Sequence, residues 1–423
     1  MEDAEPRRLL EGVNLTFSFL RTATPTQRRS LLAASLGWML DSMDVQIYAL
    51  VLLEVMRDFG IDSGTGGLLA SITLLASAAG GFLFGVLADR IGRTRALTAS
   101  ILLYSVATAA CGLAQSVTQL AVFRFFLGLG FGGEWATGAA LVAETWPAEH
   151  RGKALGIMQS AWAVGYALAA ALTAILLPIF GWRGVFFAGI LPALITLWIR
   201  RRVPEPEIWL QTRTQQPKSA GLGLSEIFSP SYRRHAVVAT LMNTGTMFAW
   251  WGLFTWIPSY LKLSPGEGGA GLTLVDSSLW IIAITVGQFF GYVTFGFIAD
   301  RLGRRQAYLV YLLVAAAVVP VYGMVRAPWA LLVLGPIVGF FGTGYFSGFG
   351  AITAELFPTR IRVTAQGFTY SVGRIGSAAA PFIVGHLAKT SGFQMAFLVI
   401  SAAFLFSAGL SSLLPETKGK ILE

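Results

Sequence analysis

The sequence predicts an all-α membrane protein of twelve transmembrane helices, in two six-helix halves related by a pseudo-two-fold axis along the membrane normal. Three observations lead there. Apolar runs of bilayer length follow one another along the chain. Basic residues crowd alternate loops. Two loop motifs recur at a single offset that covers six helices.

Of 423 residues, 55% are apolar and 13% charged, against roughly 25% charged in an average soluble domain. Mean hydropathy is +0.65. Spans are expected at 30–56, 67–87, 96–113, 118–143, 154–178 and 184–199, then at 236–261, 277–299, 307–325, 328–354, 363–387 and 393–414. Residues 1–29 form a polar N-terminal segment without a cleavable signal pattern, so insertion is expected to rely on the first helix. The first six-helix half covers 30–199, a polar linker 200–235, the second half 236–414 and a short tail 415–423. The linker holds Arg200, Arg201, Arg202, Pro204, Pro206 and Pro217, a composition that ends one half before the next begins.

An even number of spans puts both termini on one side, and loop charge says which. Of 31 Lys and Arg residues, 24 fall on the side of the termini, 5 in the opposite loops (Arg57, Arg183, Lys262, Arg326, Lys389) and 2 inside spans. The termini and the linker are therefore expected to be cytoplasmic, in a multi-pass protein of the inner membrane. This distribution accounts for the net charge of +9 without a nucleic-acid partner. Cys111 is the only cysteine, which excludes an intrachain disulfide and a Cys-based zinc site, and His150, His235 and His386 are too scattered for a metal cluster. With no phosphate-binding loop and no nucleophile-and-base motif either, neither an enzyme nor a bound cofactor or metal is expected.

Gly85 to Arg93 (GVLADRIGR) recurs as Gly296 to Arg304 (GFIADRLGR), and Ala143 to Arg151 (AETWPAEHR) recurs as Ala354 to Arg362 (AELFPTRIR), both at an offset of 211 residues. These loops resemble the signature of the major facilitator superfamily, over essentially the whole chain. The stretch Arg124 to Glu134 (RFFLGLGFGGE), the Glu144 to Arg151 loop and Pro415 to Gly419 (PETKG) are similar to its sugar and organic-acid proton symporters. Asp41-Ser42-Met43-Asp44 and Gly373-Arg374-Ile375-Gly376 are most similar to the aromatic-acid and sialate/lactate symporter families. The resemblance implies a monomeric secondary transporter that works by alternating access, with the lipid bilayer around it. A small organic solute and protons are its partners, and the proton gradient its energy source.

Each candidate site residue also has a physical reading. A carboxylate beside a helix N-terminus is stabilised by the macrodipole, and arginines can bind it through charge-assisted bonds. Asp89 is thus expected to meet the start of span eleven and Arg362, and Asp300 the start of span five and Arg151. With Arg90, Arg93, Arg301, Arg304, Glu144 and Glu355 they form a candidate cytoplasmic gate, latched only while that side is closed. Runs such as Gly128, Gly130, Gly132 and Gly133 read as helix-packing surfaces.

Ionisable groups within spans are functional candidates because the bilayer makes them costly. Asp41 and Asp44 share a face of span one that continues to Tyr48, while Arg124 and Glu134 share span four. Asp44 is expected to pair with Arg124, with Asp41 and Glu134 close by, as a proton-coupling group. The resemblance implies the same role for Asp44 and Arg124, and leaves Asp41 in more doubt because Ser42 stands where a Gly is usual. In the second half Arg374, one turn beyond Tyr370, is a receptor for a carboxylate, because its planar fork binds one through two parallel hydrogen bonds. Asn243, Gln288, Tyr345, Trp250 and, from the first half, Gln159 complete the candidate solute site. Trp251, Trp256 and Trp162 read more readily as packing or interface residues. Glu54 and His386 lie near span ends, where an interfacial role is expected.

The leading expectation is proton symport of a monocarboxylate, aromatic acid or acidic sugar. Sugar–proton symport is an alternative that Pro415 to Gly419 supports and Arg374 weakens. Efflux by antiport is another, though span five (Ala163 to Ala169) lacks a Gly-Pro pair. A non-transporting membrane sensor is a remote one, with a linker too short to be a signalling domain.

Overall fold

The computed structural model describes residues 19–206, 224–357 and 359–417, and among these it is helical with turns and no strand. Residues 1–18 of the N-terminal segment, 207–223 of the linker, Pro358 and 418–423 of the tail lie outside the described residues. The side chains of Asp89, Arg151, Asp300 and Arg362 lie outside them as well.

Local chemistry sets the helix ends, and most helices run about a turn past the expected spans. Helix α1 (Pro25–Phe59) starts at a capping box between Thr24 and Gln27, with Pro25 in the first turn, and stops at Gly60 in a left-handed conformation. Asp62 caps α2 (Ser63–Ile91), and Gly92 separates it from α3 (Arg93–Cys111). Ser116 caps α4 (Val117–Thr145). Helix α5 (Ala148–Phe187) contains both span five and the start of span six, broken at Gly181, whose φ of 64° and extended ψ interrupt the helix at one residue. Helix α6 (Leu191–Arg202) completes the first half.

The second half repeats this plan. Helices α7 (Arg233–Lys262), α8 (Leu274–Leu302) and α9 (Arg304–Met324) are spans seven to nine. Span ten is divided into α10 (Pro328–Thr343) and α11 (Phe346–Leu356). Span eleven comprises α12 (Thr359–Ser377) and the start of α13 (Ala380–Ser412), which is broken at Gly392 with φ of 81° before span twelve. Among the described residues, 8 stretches are long and apolar enough to cross a membrane, two of them 42 and 46 residues long. Gly181 and Gly392 divide those two, and α1 and α7, which are not among the eight, are buried along most of their length. Large apolar side chains such as Phe82, Ile179 and Trp329 point outward, as expected of a surface facing lipid.

Helix α2 packs on α4 and α1 on α5, and the second half repeats this with α8 on α10 and α7 on α12. The two halves meet where α5 packs on α8 and α2 on α13. Each of these pairings maps onto the other when every span is advanced by six. Close approach within a half depends on small residues. A Cβ added to Gly128 would lie 2.3 Å from the Thr73 carbonyl oxygen, and one on Gly339, 211 positions later, 2.2 Å from that of Ile284.

Candidate functional site

The centre of the bundle holds charge on three facing helices. Helix α1 contributes Asp41 and Asp44, α4 contributes Glu134, and α12 contributes Arg374, all with side chains at most 4% exposed. The four carboxyl oxygens of Asp41 and Glu134 have no hydrogen-bond partner among the described residues, and the Asp44 carboxyl lies beside the Thr108 side chain. Asp41 lies within electrostatic reach of Glu134, Asp44 and Arg374. Glu134 presses against α1 at Gly37, where an added Cβ would lie 2.4 Å from its Oε1.

Around these charges the halves enclose an aromatic box. Trp38 lies 4.6 Å from Trp162 and stacks near Phe131, Phe131 meets Trp251 edge-on at 5.9 Å, and Trp250 meets Trp251 at 4.8 Å between ring centres. Arg374 closes one edge, its guanidinium carbon 4.8 Å from the centre of the Phe131 ring and 5.2 Å from that of Tyr370. Arg374 Nη2 donates to the Tyr370 hydroxyl at 3.4 Å, while Nε has no partner. Tyr370 stacks on Trp135 across the interface at 4.3 Å, with the planes 8° apart. The indole N–H groups of Trp38 and Trp162 are also buried without partners. The box thus offers planar apolar faces, uncommitted donors and buried carboxyls in one place.

The other solute candidates divide. Asn243 donates to the Thr369 carbonyl at 3.3 Å and abuts Gly373, so it braces α12 just before Arg374. Gln288 is buried with its amide oxygen and nitrogen unpartnered, and Gln159 is half-buried and reaches toward Tyr292 of the opposite half. Trp250 belongs to the box, with its N–H given to Thr343 at 3.2 Å. Tyr345 is fully buried and donates its hydroxyl hydrogen to the Thr246 carbonyl at 3.2 Å, which commits it to packing.

The expected pairing of Asp44 with Arg124 does not form. Arg124 lies 3.6 Å over the Tyr48 ring, and its Nε donates to the Leu69 carbonyl at 2.9 Å. Tyr48 is one turn beyond Asp44 on the same face of α1, so the ring takes the guanidinium and leaves the carboxyl apart from it.

At the end of the bundle that carries the repeated loops, ties run within each half. Arg93 Nη2 bonds Glu144 at 2.8 Å with Nε supporting it, and Arg304 Nε lies 3.5 Å from Glu355 in the equivalent position. The Glu205 carboxylate accepts the N–H groups of Thr94 and Arg95 at the start of α3, each at 3.1 Å. Glu416 accepts those of Arg304 and Arg305 at the start of α9, at 2.8 and 3.2 Å. Thr417 bonds Glu355. Arg90 and Arg301 are exposed. The expected partners of Asp89 and Asp300, Arg362 and Arg151, lie outside the described residues together with them.

At the opposite end the ties cross between halves. Lys262 Nζ bonds both oxygens of Glu54 at 3.0 Å and the Leu50 carbonyl at 2.6 Å. Lys389 Nζ bonds Asp62 at 2.8 Å, and the Ser63 hydroxyl donates to the Gly385 carbonyl at 2.7 Å. Helices α2 and α13 approach so closely there that a Cβ on Gly67 would sit 2.2 Å from the Pro381 carbonyl oxygen. We call this end the latch.

The family model of the Major Facilitator Superfamily matches residues 34–286 and 268–421. The chain belongs to the major facilitator superfamily. It is therefore a multi-pass membrane transporter, not an enzyme. It is 33% identical to a cis,cis-muconate transport protein of Acinetobacter baylyi over 406 residues, covering 94% of this chain and 96% of the relative. It is 30% identical to a niacin transporter of the same organism over 422 residues, covering 93% and 95%. A crystal structure of a D-xylose-proton symporter superposes with a TM-score of 0.78 at 20% identity, covering 94% of this chain and 100% of that one, a likeness of fold.

In this transporter one latch pair carries a pH dependence. The Lys389 ammonium and the Thr65 N–H hold the Asp62 carboxyl below the usual carboxylate range. A depressed carboxylate contributes stability above its ordinary value, so the Asp62 tie is intact above roughly pH 4 and weakens only as pH falls below that. An exposed pair such as Lys389–Asp62 contributes about 0.2–1 kcal/mol. Replacing Lys262 and Lys389 together by Gln should raise labelling of an Ala49→Cys reporter by an impermeant maleimide added at the latch side. Labelling equal to that of the parent would assign closure to the Gly67 and Gly385 helix contact alone.

Proposed function

We propose that this transporter carries a small organic acid with a planar, aromatic or conjugated body into the cell by symport with protons. The observation that carries this reading is Arg374, a buried guanidinium with an uncommitted Nε at the edge of the Trp38, Phe131, Trp162, Trp250 and Trp251 box. A cation in the bilayer interior without a bonded counter-ion is unfavourable by several kcal/mol, and a solute carboxylate would relieve that. The box then holds the body of the solute by stacking, and the indole N–H groups of Trp38 and Trp162 are within the same enclosure. Relatives named for muconate and niacin, both planar acids, agree with such a solute.

Coupling follows from the arrangement of charge. Asp41 competes with the solute for Arg374. A proton taken up by Asp41 or Glu134 removes a negative charge beside the guanidinium and leaves it free for the solute carboxylate, so proton and anion enter together. Asp44, without Arg124 as partner, joins the same carboxyl group of three. With the repeated loops on the cytoplasmic side, the latch faces outward and the bundle is closed to the outside. Rocking of the halves would break the latch and join the Asp89 and Asp300 loops to the opposite half.

Uptake in proteoliposomes tests the reading. Labelled benzoate, nicotinate and cis,cis-muconate should accumulate when the outside is acid, and collapse of the pH gradient should end accumulation. Accumulation of xylose in preference to all three acids would overturn the organic-acid assignment, and acid accumulation indifferent to the gradient would overturn symport.

A further inference from the structure

We propose that Arg124 forms a second carboxylate subsite, separate from Arg374 and on the latch side of the aromatic box, which holds the acid group of the solute as the latch closes. The proposal rests on the organic-acid reading above. Arg124 is 3% exposed, and among the described residues no carboxylate pairs with it. Its Nε is engaged with the Leu69 carbonyl, which leaves the four N–H donors of its two Nη groups. The guanidinium borders a narrow cavity also lined by Gln46, Tyr48, Thr73, Trp251 and Thr255. That cavity has room for about one water-sized group.

A second, independent observation points to the same ligand. The Gln46 side chain is 2% exposed, and its Nε2 is buried without a hydrogen-bond partner. No acidic residue lines the cavity. Two unpartnered donor groups border a space with room for one carboxylate oxygen, with a full positive charge among them, which suits an anion and no cation.

Position separates this subsite from the first. Arg124 and Phe131, the ring beneath Arg374, are seven residues apart on α4, a rise of ~10 Å. Gln46 lies eight residues inside Glu54 of the latch on α1, ~12 Å along the axis. The lining comes from α1, α2 and α4 of one half and α7 of the other, so the cavity changes shape whenever the halves move. An acid entering past the open latch meets Arg124 first and Arg374 second.

Formate is the smallest carboxylate, and formamide its neutral counterpart. With the full chain in lipid nanodiscs, formate and not formamide should raise Tm saturably. Arg374→Gln and Arg124→Gln should each keep part of the shift, and the double variant should lose all of it. Gln46→Leu should shrink the part that survives in Arg374→Gln, which keeps the test open if Arg124→Gln does not fold. The proposal is overturned if Arg374→Gln alone abolishes the shift, if Arg124→Gln matches the parent, or if the parent shows no shift. A failure of the organic-acid reading looks different, since acids would then not accumulate while the Arg124-dependent formate shift remained.

Discussion

Arg374→Ala is expected to weaken binding of a transported carboxylate by roughly 30-fold to several thousand-fold, the about 2–5 kcal/mol that follows loss of one partner from a buried charge-assisted pair. Arg374→Lys should recover only a minor part, because a lysine keeps the charge but cannot form two parallel bonds from one plane. Lysine would also leave the Phe131 ring, over which the guanidinium now lies at 4.8 Å. Equilibrium binding of labelled benzoate to the purified variants reads both effects. Binding by Arg374→Ala as tight as by the parent would reduce Arg374 to a partner of Asp41 that never touches the solute.

The second large effect concerns coupling. Asp41→Asn and Glu134→Gln should each abolish accumulation driven by a pH gradient while preserving exchange of labelled for unlabelled solute. The reason is that neutral side chains at these positions imitate the proton-loaded state permanently. Asp44→Asn should behave in the same way if the three carboxyls act as one group. If instead Asp44→Asn alone uncouples and the other two concentrate solute normally, Asp44 carries the proton unaided. Counterflow and gradient-driven uptake on the same vesicles separate these outcomes.

The architecture was largely legible because its signals are local or periodic. Capping residues such as Thr24, Asp62 and Ser116 lie where the sequence changes from polar to apolar, and the offset of 211 relates the halves. Even so, the repeat reaches further than its two loops. Pro204 and Glu205 stand 211 positions before Pro415 and Glu416, and Gly181 the same distance before Gly392. Those matches were available in the sequence; the shared capping of α3 and α9 explains the first, and the two helix breaks with positive φ explain the second.

The site was legible in its charges and not in its walls. A buried acid is conspicuous in an apolar run, whereas Trp38, Phe131 and Trp135 look like ordinary packing. Helical spacing was the available signal: Trp38 precedes Asp41 by three positions, and Phe131 and Trp135 flank Glu134 on one face. The Arg124 placement was not accessible this way, since Tyr48 and Asp44 share a face and only the register of α1 against α2 and α4 decides between them. The latch was equally hidden. Glu54 and Lys262 are 208 residues apart, and Asp62 and Lys389 are 327 apart.

Gly181 and Gly392 have a practical consequence for anyone who modifies this protein. Consecutive spans run in opposite directions, so at each of these glycines the chain turns back with no connecting loop to absorb added residues. An epitope or fluorescent protein inserted there would pry apart two helices rather than lengthen a tether, and a protease added at that face would find no slack strand to enter its cleft. Each pair of helices joined in this way should therefore swing as a stiff lever, which makes the two turns poor places for a tag and good ones for a pair of distance labels.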